Sequence, residues 1–101
     1  VVLHALTSAG TSPGSGVDGG AATADGGAAY LIVTATDGGD LAVTVEDSAN
    51  GSDWATLVAM TLTAVVGSEV KVVTGAVRQH LRVSWTLSAG NATWFLAFGR
   101  R

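Results

Sequence analysis

Two histidines, eight carboxylates and three tryptophans are the side chains of this sequence with a capacity for chemistry or for ligand stacking. His4 and His80 stand far apart, with no H-x-H or H-E-x-x-H spacing around either. A zinc site needs further donors at defined intervals, and no carboxylate is spaced to supply them. Both histidines therefore read as structural or surface residues. Asp37, Asp40, Asp47 and Asp53 fall in or beside two turn-like stretches. Calcium takes several oxygen ligands, so such a cluster has to be weighed. The EF-hand spacing fails, because Ala49 occupies the second ligand position counted from Asp47. Asp and Gly are also what turns use for their own backbone reasons, and that reading is preferred. Glu46 and Glu69 are the only glutamates, and neither sits in a glycosidase-like motif. No G-x-S-x-G elbow or phosphate-binding loop occurs. Catalytic residues, cofactor-binding residues and metal ligands are accordingly assigned to none of these positions, and the expectation is a protein that is not an enzyme.

The tryptophans divide by their surroundings. Trp85 alternates with Leu81, Val83 and Leu87, which predicts a core position with Val83 and Trp85 buried. Trp54 opens an apolar run and is expected to cap the end of the fold. Trp94 begins the last apolar run and is the candidate for an exposed or interface aromatic. Asn50-Gly51-Ser52 and Asn91-Ala92-Thr93 match the glycosylation sequon and read as chance matches in turns.

The elements that must position these residues are strands. The chain has 101 residues, 48% hydrophobic and 13% charged, enough for one domain with a modest core and too apolar for a disordered chain. The absence of cysteine excludes a disulfide framework and thiolate chemistry. No apolar run approaches the roughly 20 residues that span a bilayer, and no signal-peptide pattern is visible. The net charge of −3 argues against non-specific nucleic-acid binding. Charge is unevenly placed. Residues 1–68 hold seven acids and no Lys or Arg, whereas residues 69–101 hold Glu69 with Lys71, Arg78, Arg82, Arg100 and Arg101. Interleaved strands would mix these charges in space. The alternative is an acidic face meeting a basic face on a neighbouring subunit.

Val1–Leu6 predicts a first strand. Half of the 14 glycines then fall between Gly10 and Gly27, which predicts a mobile arm, interrupted by a small strand around Val17. Tyr30–Thr36 is apolar on both faces, as in a central strand. Leu41, Val43 and Val45 alternate with Ala42, Thr44 and Glu46. A polar turn over Ser48–Asp53, strands over Trp54–Leu62 and Glu69–Thr74, and the strong period-two run Leu81–Leu87 follow. Trp94–Phe98 is the last strand. The pattern predicts an all-β chain forming a single antiparallel β-sandwich of seven or eight short strands, jelly-roll or immunoglobulin-like. Residues 1–28 would be an N-terminal strand and Gly/Ser/Ala-rich arm, and residues 29–101 the sandwich core of one domain overall.

Three segments carry a resemblance: V-T-V-E-D-S-A-N-G-S-D-W from Val43, G-S-E-V-K-V-V-T-G from Gly67, and H-L-R-V-S-W-T-L from His80. Together they resemble small structural proteins of tailed bacteriophages and prophages, described as head decoration or other virion components. The resemblance implies a non-enzymatic protein made in the host cytoplasm and bound, without cofactors, to the outside of an assembled capsid. Its partners would be the major capsid protein, copies of itself as a homo-oligomer, or both, with neither nucleic acid nor membrane. Val1, Val2, Leu3, Leu6 and Trp94 are the candidate interface residues. Placement in a tail or neck is a variant. The S-x-x-G-S-x-W turn and L-R-V strand also resemble discoidin-type carbohydrate- or lipid-binding modules, which would use Trp54 or Trp94.

Overall fold

The computed structural model describes residues 2–9, 17–18, 22–36, 41–61, 66–87 and 92–100, with residues 2–9, 17–18 and 87 described by their backbone alone. Eight strands run in chain order: β1 (Val2–Ala9), β2 (Val17–Asp18), β3 (Gly27–Thr36), β4 (Leu41–Ser48), β5 (Ala55–Ala59), β6 (Gly67–Val73), β7 (His80–Leu87) and β8 (Ala92–Arg100). No helix occurs among the described residues. The strands form two antiparallel sheets, ordered β1-β8-β3-β6 and β2-β7-β4-β5. Three strands of each sheet, β8-β3-β6 and β7-β4-β5, have described side chains. β1 and β2 join them by backbone pairing to β8 and β7.

Period-two burial makes the two layers adhere. In β8, Ala92, Trp94, Leu96 and Phe98 point inward, and Thr93, Phe95 and Ala97 do not. In β3, Ala29, Leu31 and Val33 are inward, and β3 is central, as its two apolar faces predict. β4 contributes Leu41, Val43 and Val45, and β7 contributes Leu81 and Val83. These residues form one cluster with Met60 and Val77, against which Leu57, Val58, Val73 and Trp85 pack. Each large apolar side chain buried in this way contributes about 1.5–3 kcal/mol.

The glycine-rich stretch divides. The predicted arm falls largely on residues 10–16 and 19–21, outside the described residues. Val17 pairs with Leu81 and Asp18 with His80, which is the small strand expected there. Thr23 and Val77 exchange backbone hydrogen bonds of 2.9 and 2.8 Å. Gly26 and Gly27 correct the arm expectation at its C-terminal end, because both are buried where β3 begins. Gly26 has φ of 78°, and a Cβ there would lie 2.0 Å from the Val73 carbonyl oxygen. A Cβ on Gly27 would lie 2.3 Å from the Gly99 oxygen. Close backbone approach, not mobility, requires these two glycines.

Candidate functional site

The two sheets turn different faces to the solvent. On the second sheet, the outward positions are Ala42, Thr44 and Glu46 of β4 and Arg82, Ser84 and Thr86 of β7. Glu46 and Arg82 stand directly opposite each other in the β4–β7 register. Arg82 Nε donates to Glu46 Oε1 at 2.6 Å, and its guanidinium lies 4.5 Å from the centre of the Trp54 ring. Cation–π contact and the ion pair together hold Trp54 against the sheet. Trp54 is half-buried, and one face of its ring is covered by Arg82.

Asp47, read from sequence as a turn residue, is buried at the end of β4. Its Oδ2 accepts from the Arg78 backbone N–H at 3.0 Å, and its Oδ1 from Arg78 Nη2 at 2.9 Å. Arg78 Nη2 also reaches the Asp47 carbonyl at 3.1 Å. The hydrogen bond to Asp47 raises the Arg78 pKa above its ordinary value, against an opposing effect of burial. Arg100 donates to the backbone carbonyl of Gln79 at 2.6 Å. Acids of the first part of the chain thus meet Arg78 and Arg82 of the last part within the fold. For these two arginines, that is the mixing expected of interleaved strands.

The polar turn after β4 is closed on itself. Ser48 Oγ accepts from the N–H groups of Asn50 and Gly51, at 3.2 and 2.9 Å. Asn50 Oδ1 accepts from the N–H groups of Ser52 and Asp53, at 2.8 and 2.9 Å. Asn50 Nδ2 donates to Asp53 Oδ2 at 2.8 Å, and Gly51 supplies a φ of 78°. The residues of the S-x-x-G-S-x-W motif therefore hold a loop in shape. Asp37 and Asp40 lie outside the described residues. Among the described residues no group of His, Cys, Asp and Glu is arranged to hold a metal ion, and no pocket is present.

The outer face of the first sheet carries several large exposed apolar side chains, beside Thr34 and Ser68. Tyr30 and Ile32 of β3 are 45% and 43% exposed, and Val70 and Val72 of β6 are 58% and 64% exposed. Tyr30 stands opposite Val70 on one side and Ala97 on the other, and Ile32 stands opposite Phe95, so these side chains share one surface. Val66, just before β6, is also exposed. Sequence reasoning missed this surface, although its signal was present in the uninterrupted apolar run of β3.

Among the predicted interface residues, Trp94 alone has a described side chain. Trp94 is corrected: it is fully buried and meets Trp85 edge to face, with ring centroids 5.2 Å apart. It lies in phase with Leu96 and Phe98, both inward, so its ring has no surface to offer. Trp85, predicted buried, is only partly so, and packs against the edge of the core cluster. Val2, Leu3 and Leu6 lie in β1, whose backbone pairs with β8 from Val2↔Ala97 to Ala9↔Ala92. Their side chains, that of His4 and all of Val1 lie outside the described residues. No protein-family model matches the chain, and no curated protein or solved structure shows significant similarity to it.

Proposed function

We propose that this chain is a non-enzymatic structural protein of a tailed-phage virion, bound as a decoration protein to the outside of the assembled head. The observation that carries the reading is the apolar outer face of the first sheet, with Tyr30, Ile32, Val70 and Val72 exposed on a surface without a pocket among the described residues. Contiguous exposed apolar side chains mark interaction surfaces, and a flat one suits another protein surface better than a small ligand. The segments from Val43, Gly67 and His80 that resemble virion proteins supply the identity of the partner.

The finer architecture proposed is a single eight-stranded jelly roll. Its support is the pairing pattern: β1 with β8, β2 with β7, β3 with β6 and β4 with β5, as in a long hairpin rolled into two layers. Jelly rolls serve in viral capsids and in lectins, so the fold agrees with the reading by analogy alone. Val1, Val2, Leu3 and Leu6 remain proposed contacts along the β1 edge of that sheet, and the partners are the major capsid protein and further copies of the chain. Neither nucleic acid nor membrane has a part in this reading.

A site spanning shell subunits exists only after assembly, so the protein should bind assembled capsids and not free shell subunits. It should also raise the temperature at which particles break, by mass action on the intact state. Co-sedimentation with capsids lacking the protein tests this. If the folded protein binds no such particle, the decoration reading is rejected. Binding on a glycan array weakened by Trp54→Ala would replace it with a carbohydrate-binding module.

A further inference from the structure

We propose that Asn50-Gly51 is a modification site, at which Asn50 converts to aspartate and isoaspartate through a succinimide, and that Ser48 holds the reaction back in the folded state. The chemistry needs an asparagine followed by a residue with an unhindered backbone nitrogen. Glycine, without a side chain, is the least hindered, and the pair occurs once in the chain. The Gly51 nitrogen loses its proton to hydroxide and bonds to Asn50 Cγ. The Cγ–Nδ2 bond breaks, and Nδ2 leaves as ammonia with a proton taken from water. Water then opens the ring at one carbonyl or the other, giving aspartate or isoaspartate.

The loop prepares one reactant and withholds the other. Asn50 Oδ1 accepts from the Ser48 hydroxyl at 3.0 Å and from the N–H groups of Ser52 and Asp53 at 2.8 and 2.9 Å. Donors gathered on a carbonyl oxygen stabilise the oxyanion that forms when its carbon is attacked. The electrophile is therefore activated. The nucleophile is held back. Gly51 N–H donates to Ser48 Oγ at 2.9 Å, and Ser48 is fully buried. Hydroxide must take that proton before the nitrogen can attack, and the proton points into the protein. Asn50 and Gly51 are themselves exposed, so the barrier is the Ser48 bond and not burial of the pair. The bond of 2.8 Å from Asn50 Nδ2 to Asp53 Oδ2 tethers the leaving group as well.

The product does not fit the loop. In aspartate, an oxygen replaces Nδ2 and sets a second carboxylate against Asp53, where like charges repel. In isoaspartate, the main chain runs through Cγ, and the oxygen that held the Ser52 and Asp53 N–H groups becomes a backbone atom. Either change loosens a loop that lies over His80, whose ring would be 3.8 Å from a Cβ on Gly51. Each opening of the loop is thereby open to becoming a permanent change at this end of the second sheet. The site rests on the loop's own geometry and does not depend on the capsid reading.

Incubation at mildly alkaline pH, with mass-spectrometric peptide mapping around Asn50 and enzymatic detection of isoaspartate, tests the proposal. Asn50 should convert about tenfold or more faster in guanidinium chloride than in the folded protein at the same pH, because attack in the fold must await an opening that breaks several hydrogen bonds. Ser48→Ala should convert about tenfold faster than wild type, since it frees the Gly51 N–H and leaves the Ser52 and Asp53 donors in place. Circular dichroism confirms that this variant is folded, and the comparison of folded with unfolded wild type needs no variant. Equal rates in the folded and unfolded chain would overturn the proposal. So would absence of conversion in guanidinium chloride, or a folded Ser48→Ala that converts no faster than wild type. The readout is the mass at Asn50, so failure here is distinct from failure to bind capsids.

Discussion

The two sheets share one core and differ in what they show to their surroundings. The second sheet carries a Glu46–Arg82 pair, Thr44, Ser84 and a tryptophan under a guanidinium on its outer side. The first carries Tyr30, Ile32, Val70 and Val72. Both outer faces are built on the same alternating strands, so the fold does not demand the difference. A solvated antiparallel face needs polar side chains, and the second sheet has them. The first sheet has fewer of them over β3 and β6, where Thr34 and Ser68 stand beside Tyr30, Ile32, Val70 and Val72.

That contrast can be broken first at the layer the sheets have in common. Trp94→Ala should destabilise the protein by about 3–5 kcal/mol, through lost burial and a cavity between the sheets. Trp85→Ala should cost less, because Trp85 is only partly covered. Urea unfolding of both variants checks the order, and a larger loss at Trp85 would return it to the centre of the core. Asp47→Ala should cost about 2–3 kcal/mol, since it removes charge-assisted bonds to Arg78 and strips the Arg78 N–H of its acceptor. Gly27→Ala should cost about 1–3 kcal/mol, because its methyl meets the Gly99 oxygen and the Phe98 ring. Thermal melts would reveal either.

The outer faces respond less in stability and differently from each other. Glu46→Gln on the second sheet should cost about 1 kcal/mol or less, and the loss should shrink in high salt as a surface pair is screened. Val72→Thr on the first sheet should change stability by only about 0.5 kcal/mol in either direction. It should nonetheless weaken capsid binding. A Val72→Thr protein that binds capsids like wild type would show that the apolar face is not the contact.

Much of this fold was legible because alternation survives in the residues themselves. Leu81-Arg82-Val83 and Leu41-Ala42-Val43 state their inward and outward sides outright, and Tyr30–Thr36 announces a central strand. The tryptophans were misjudged because alternation gives side and not depth. Trp94 and Trp85 both point inward, each two residues from the end of its strand, yet Trp94 is fully buried and Trp85 only partly. Asp47 was taken for a turn residue because its partner, Arg78, is remote in sequence and belongs to another part of the fold. Gly26 and Gly27 merged with a glycine-rich run whose composition says nothing about the Val73 and Gly99 carbonyls they approach. The apolar outer face was hidden for a related reason. The pairing of Tyr30 with Val70 is what joins two modest apolar stretches into a single surface.

The pairing of β1 with β8 also sets the pace at which the molecule is made. Val2 and Ala97 are partners across nearly the whole length of the chain, and β2 with β7 and β3 with β6 close successively shorter loops inside it. Among the described strands, only β4 and β5 pair as neighbours in sequence. Such non-local contacts give a high contact order, and chains of this kind fold in milliseconds to seconds rather than microseconds. On the ribosome, β1 waits for its partner until residues 92–100 have emerged, and β3 waits for one of its two. The apolar inner face of the first sheet therefore stays open to other nascent copies until residues 92–100 have emerged, and the hairpin of β4 and β5 is the natural place for folding to begin.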